Sequence, residues 1–121
     1  MIDQIPTAET NALVFSAHGV ITGEDYEKVM IPAIEEKLKA NAKIRFLYHL
    51  GSDFKGYTTA AIWDDAKLGC RFARFFEKIA VVTDVPWMVT AVKFCSLFVN
   101  CPVKIFSNKE LVEARDWLTA T

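Results

Sequence analysis

The chain has 121 residues, 52% of them hydrophobic and 24% charged, with a formal net charge of −1. That length predicts one domain with a real core and leaves no room for a second. Fourteen basic residues interleave with fifteen acidic ones and form no run of like charge, which excludes the basic footprint of a nucleic-acid binder.

Residues 1–6 lack the basic and apolar regions of a secretory signal. The least charged stretch, residues 85–103, carries Lys93, Asn100 and two prolines, and falls short of the roughly 20 apolar residues that span a bilayer. Cys70, Cys95 and Cys101 are odd in number and have no CxxC spacing. They read as reduced thiols, and the expected compartment is the cytoplasm.

In chain order, residues 2–5 form a short strand that stops at Pro6, and Glu9, Thr10 and Asn11 make a turn. Residues 12–18 form a second strand, antiparallel to the first across that tight link. Residues 19–23 lead into a helix. Thr22 stands at its N-cap with Asp25 three positions on, and Glu24 and Asp25 suit the positive end of the helix dipole. Tyr26, Met30, Ala33, Ile34 and Leu38 share its apolar face. Pro32 removes a backbone donor inside this helix, which predicts a kink or broken turn near residues 29–31.

Residues 44–50 form the third strand, reached by a right-handed parallel crossover. Residues 51–57 are expected as a loop, and a long helix follows over residues 59–76. The β-branched run 78–83 predicts a central strand covered on both faces. Pro86 fits the first turn of a third helix over residues 87–99. Residues 102–106 make the last strand. Ser107 then caps a closing helix with Glu110 at its N3 position, turning Leu111, Ala114, Trp117 and Leu118 inward. The order ββαβαβαβα predicts an α/β fold with a mixed sheet of about five strands, the first pair antiparallel and the rest parallel, and four helices.

That order, over essentially the whole chain, resembles the STAS domain of anti-sigma-factor antagonists. Local marks resemble its SpoIIAA-like branch: Asp25-Tyr26-Glu27-Lys28 with Pro32 further along the helix, the strand from Lys43 to Leu50, and Phe54-Lys55-Gly56-Tyr57 leading into a helix with Asp64-Asp65. Lys78-Ile79-Ala80-Val81-Val82 and the Pro86-Trp87 helix entry fit as well. The resemblance implies a single STAS-like domain over residues 1–121 and a binding or regulatory module without catalysis. It also implies a likeness in shape to CRAL-TRIO lipid-binding folds. In the switch proteins of this group, a partner kinase phosphorylates a Ser or Thr at the N-terminus of the helix after the third strand. Thr58 and Thr59 are the nearest equivalents here. Tyr57 before them and Ala60-Ala61 after them depart from the Asp-Ser-x-Gly pattern of such segments, and a plain N-cap is the simpler role for either threonine.

The second and third helices carry more apolar surface than a sheet face needs. At about 100° per residue, Ile62, Ala66, Gly69, Cys70, Ala73 and Phe76 make the expected core stripe of the second helix. Leu68, Phe72 and Phe75 widen it on one side and Trp63 on the other, to an arc of about 240°, where a little over ~100° would serve. Lys67, Arg71 and Arg74, with Asp64, take the remaining wedge. The third helix is apolar nearly all round, with Lys93 its one charge. Lying side by side, the two helices predict one of two outcomes. Either they close over a cavity lined by Trp63, Phe72, Phe75, Trp87, Phe94 and Phe98, or they leave an outer apolar patch rimmed by Lys67, Arg71, Arg74 and Lys93. Cations beside exposed apolar surface suit anionic lipid headgroups. The expected function is therefore binding of an apolar small molecule or lipid, with reversible docking at the inner face of the membrane. A homodimer through the third helices, or a protein partner engaged at residues 53–59, would use the same features differently.

His18, His49 and Asp53, with Ser52, fall near the carboxyl edge of the sheet, where open α/β sheets bind ligands. No i,i+4 pair or short ligand spacing joins them, so hydrogen-bonded structural roles are expected rather than metal ligation. The sequence contains no GxGxxG, GxxxxGK[ST] or GxSxG motif, and none of the cysteines adjoins a histidine. No enzyme activity, metal or cofactor is predicted.

Overall fold

Five strands form one sheet in the order β1-β2-β3-β4-β5. The computed structural model describes residues 1–120, and Thr121, the last residue of the predicted domain, lies outside the described residues. β1 (Ile2–Ile5) pairs antiparallel with β2 (Ala12–Ile21). β3 (Ile44–Tyr57), β4 (Phe76–Thr83) and β5 (Val103–Phe106) follow in parallel. Four helices connect and close them: α1 over residues 23–40, α2 (Thr59–Phe72), α3 (Pro86–Cys95) and α4 (Leu111–Thr119). The predicted order and strand directions hold.

Alternation along the strands builds a core on each face of the sheet. Leu13, Phe15, Phe46, Tyr48 and Phe76 point to the side covered by α1, α2 and α3, where Tyr26, Ile34, Leu68 and Met88 meet them. Ala12, Val14, Leu47, Val82 and Phe106 point to the other side, which Ala114 and Leu118 of α4 close.

The start of α1 is set by a reciprocal cap. Asp25 N–H donates to Thr22 Oγ1, and the Asp25 carboxylate accepts from Thr22 N–H at 2.8 Å. Partial burial pushes the Asp25 pKa up, but the hydrogen bonds from Thr22 and the nearby N-terminal charge outweigh it and leave the group below its usual value. Between the helical pieces Gly23–Asp25 and Ile31–Ala40, residues Tyr26–Met30 wind as a π-turn. Pro32 has no N–H for the carbonyl four residues back, so the predicted broken turn takes the form of a widened one.

Three expectations are corrected. Residues 51–57 are not a loop but the second half of β3, and β2 likewise continues to Ile21. Gly19 pairs with Phe54, Val20 with Gly56 and Ile21 with Tyr57 across two register shifts. Gly19 (φ 64°) and Gly56 (φ 131°) supply the positive-φ positions that this bulged ladder needs, so glycines that look like loop signals belong to a strand here. Next, α2 ends at Phe72. A 3-10 turn, Ala73–Phe75, follows it, and Phe76 opens β4. Its buried face is Ala61, Asp64, Leu68 and Phe72, whereas Ile62, Trp63, Ala66 and Cys70 of the expected apolar arc face outward. Asp64, placed outside by its charge, packs beneath the first turn of α1: a Cβ on Gly23 would stand 3.1 Å from its Oδ2. Finally, α3 ends at Cys95, and Ser96–Phe98 continue as a 3-10 turn.

Candidate functional site

Two groupings stand out on the side of the sheet covered by three helices. The first is the outer face of α2 and α3. Trp63 is 65% exposed, Trp87 52%, Phe94 63%, Leu97 76% and Phe98 72%. These are large apolar side chains left in water, each worth about 1.5–3 kcal/mol if buried. Trp63, Phe98 and Phe94 are joined through shared neighbours. Trp63, Ala66, Lys67, Cys70 and Arg71 line one open hollow of about 460 Å³. Cys70, Arg71, Ala73, Arg74, Phe98 and Asn100 line an adjoining one of about 310 Å³. Phe94 packs edge-on against Phe98 with ring centroids 5.5 Å apart.

The six expected lining residues therefore do not close a common cavity. Phe72 lies in the core, Phe75 is half-buried, and the other four sit on the surface. These four make outer apolar surface instead. Among its basic neighbours, Lys67 Nζ lies 3.4 Å from Asp64, and Arg71 donates to Glu35 at 2.9 Å. The Arg74 guanidinium rests over the Phe75 ring at 4.9 Å. Arg74 and Lys93 form no ion pair among the described residues.

The second grouping was not anticipated. Tyr26 from α1, Tyr48 and Tyr57 from β3, and Asp65 from α2 converge beneath the start of α3. Tyr26 Oη donates to Asp65 Oδ1 at 2.9 Å and lies 3.3 Å from Tyr48 Oη. Burial is the main cause that raises all three phenol pKa values: Tyr48 to about 12, and Tyr26 and Tyr57 well above the ordinary range. Burial raises the Asp65 carboxyl as well, with the Tyr26 hydrogen bond pulling it back down. Asp65 as a whole residue is nonetheless among the exposed positions of α2. Tyr57 continues outward into an aromatic group, 5.2 Å from Phe54 and 6.1 Å from Trp87 between ring centroids. Single tyrosines scattered between positions 26 and 57 carry no spacing signal. The one sequence hint is that Tyr26, Phe54, Tyr57, Asp65 and Trp87 all lie in the segments that carry the family resemblance.

The family model of SpoIIAA-like proteins matches residues 12–119. The chain belongs to the SpoIIAA-like family. An uncharacterized protein with a SpoIIAA-like fold from Shewanella loihica PV-4 has a similar structure, with a TM-score of 0.77 at 28% identity. The match covers 98% of this chain and 92% of that one. No curated protein matches the sequence. Membership in the SpoIIAA-like family accounts for the sheet order and helix positions. What the domain binds has to be argued from its own side chains.

The remaining candidates of this SpoIIAA-like chain take structural positions. Thr58 caps α2, its Oγ1 accepting from Ala61 N–H at 3.1 Å, and Thr59 is exposed in the first turn. His18 Nδ1 meets Asp53 Oδ2 at 2.6 Å and its Nε2 lies 3.4 Å from Asp3, which takes the place expected of His49. The hydrogen bond from His18 holds the exposed Asp53 carboxyl below its usual pKa. No set of three or more His, Cys, Asp or Glu side chains gathers as a metal-ligand group among the described residues.

Proposed function

We propose that this domain is a non-catalytic binding module that docks an anionic lipid surface through the outer face of α2 and α3. The observation that carries the proposal is the exposure of Trp63, Trp87, Phe94, Leu97 and Phe98, with Arg74 sharing a hollow with Phe98 and Lys93 exposed next to Phe94 in the chain. Apolar side chains of this size enter the boundary between headgroups and acyl chains, and unpaired cations beside them gain from anionic headgroups. No helix of the described residues is long and apolar enough to cross a membrane, so the contact is peripheral. A second copy of the chain is a poorer occupant. A two-fold contact brings the same patch of each copy together, which would gather the unpaired Arg74 and Lys93 of both copies at one interface.

The test uses tryptophan emission and vesicle co-sedimentation. Vesicles of phosphatidylcholine with phosphatidylglycerol should blue-shift the emission and pellet the protein, and added salt should weaken both effects. Pure phosphatidylcholine should act weakly, and Arg74→Glu with Lys93→Glu should remove the preference. A protein indifferent to both vesicles overturns the proposal, and a concentration-dependent dimer in the same samples would assign the face to self-association.

A further inference from the structure

The two hollows on the outer face of α2 differ in chemistry and share a wall. Arg71, Arg74 and Asn100 bring nitrogen donors to the smaller one, beside Cys70, Ala73 and Phe98. Trp63 and Ala66 give the larger one apolar walls next to Lys67. Cys70 and Arg71 line both, so a polar compartment opens directly onto an apolar one.

The two guanidiniums are held by contacts that leave donors over. Arg71 lies 4.7 Å from the centroid of the Phe72 ring, and Arg74 lies 4.9 Å from that of Phe75. Such contacts fix where the charge sits without occupying an oxygen acceptor. Arg71 also donates to Glu35 at 2.9 Å, which takes one N–H of its fork. Arg74 forms no ion pair among the described residues. With a single carboxylate set against two guanidiniums, the hollow keeps an excess of positive charge.

Size and donor geometry select the ligand. A volume of about 310 Å³ is at the lower end of the range for small-molecule sites, roughly 300–1,000 Å³. It admits a headgroup and not the hydrocarbon of a lipid. Guanidinium forks match pairs of oxygens, and a phosphate has oxygens for two forks where a carboxylate fills one. A terminal phosphate presents three free oxygens, whereas a phosphodiester presents fewer and carries an ester group on either side. The apolar hollow next door, with exposed Trp63, offers a carbon chain a place that a soluble phosphate would leave empty.

We infer that the hollow lined by Arg71, Arg74 and Asn100 is a headgroup site for a lipid with a terminal phosphate, of the phosphatidic acid type. The inference rests on the docking reading above and adds selectivity to it. The apolar face supplies affinity for the bilayer, and the hollow chooses among anionic lipids by shape as well as by charge.

The experiment measures co-sedimentation of the full chain with two kinds of phosphatidylcholine vesicle. One carries about 10% phosphatidic acid and the other about 20% phosphatidylglycerol, since a terminal phosphate bears nearly twice the charge of a diester. Phosphatidic acid should bind at least about fivefold more tightly at this matched charge. Arg71→Lys keeps the charge and loses the fork, so the ratio of the two affinities should fall to within about twofold of one. Equal binding of the wild type to both vesicles overturns the inference and leaves the docking reading standing. A wild-type ratio in Arg71→Lys overturns the inference as well, and a chain that binds neither vesicle overturns both. Glycerol phosphate supplies the soluble arm: if it binds as tightly as the phosphatidic acid vesicles, the hollow belongs to a free phosphate and the lipid assignment falls. Should Arg71→Lys fail to fold, the vesicle comparison on the unaltered chain still decides the matter.

Discussion

The helices α3 and α4 flank the last strand of the sheet, yet the fold uses them in opposite ways. α4 is amphipathic and well tied. Ala114 and Leu118 are buried, and Leu111 and Trp117 are half-buried. Its approach is fixed by the reciprocal cap of Ser107 and Glu110. Its last carbonyls accept from cations on the sheet: Arg45 donates to Leu118 O at 2.8 Å and Ala120 O at 2.7 Å, and Lys78 donates to Trp117 O at 2.8 Å. α3 is the more hydrophobic helix and the less buried one. Met88 is its one buried residue, and its N-cap, Val85, has no side chain able to cap. Where apolar residues serve the fold, they come with a polar outer face and satisfied ends. α3 has a largely apolar outer face and no side-chain cap at its start, so its hydrophobicity needs another explanation, and that is the physical basis for placing function on this side of the domain.

The comparison is easiest to break where burial is deepest. Leu118→Ala removes a fully buried side chain from a closed core and should cost about 2–5 kcal/mol in urea denaturation. A cost near zero would mean that α4 is no better anchored than α3. The buried tyrosines beneath α3 provide the next effect, through pH. The fold raises the Tyr48 pKa to about 12 from an unfolded value near 10, so it favours the neutral phenol. The stability this contributes is fully present below about pH 10 and is lost as pH rises towards 12, an effect on the order of a few kcal/mol. Tyr48→Phe should be slightly less stable than wild type at pH 8, and the gap should close or reverse by about pH 11.5. Parallel pH profiles for the two proteins would show that the phenol is not held neutral by its surroundings. Smaller again is the cap on α2. Thr58→Ala leaves the Ala61 N–H without its partner and should cost about 1 kcal/mol, whereas Val85 at the start of α3 has no such bond to lose. A Thr58→Ala protein as stable as wild type would take away that contrast between the two helices.

Much of the fold was legible because its signals are local. Pro6, Pro32 and Pro86 mark a strand end, an irregular turn and a helix start. Thr22–Asp25 and Ser107–Glu110 mark the two reciprocal caps. The run 78–83 marks a strand buried on both sides. What misled was information that arises only on packing. Gly51 and Gly56 look like a loop until β3 is seen to run through both, with Gly56 opposite Val20 of the bulged β2. Asp64 looks like a surface residue until the space under Gly23 is seen to receive it. That single inward charge turns the buried face of α2 away from the one that hydrophobicity selects, and it leaves Trp63 outside. Of the candidate sites, the apolar patch was visible as a surplus over what one sheet face needs. The tyrosine cluster was not, because its members meet only when α1, β3 and α2 are assembled.

The smallest expected effect on stability is also the sharpest test of the contrast. Phe94, Leu97 and Phe98 are mostly in solvent, so replacing each with Ser should change stability by about 0.5 kcal/mol or less, in line with other surface sites. The same residue types at Phe72 or Leu118 belong to packed clusters and would cost several times more. If the triple Ser variant unfolds as the wild type does but no longer pellets with anionic vesicles, then the apolar surface of α3 serves contact and not folding. If it instead loses several kcal/mol, α3 contributes to the core after all, and its likeness to α4 would be greater than its exposure implies.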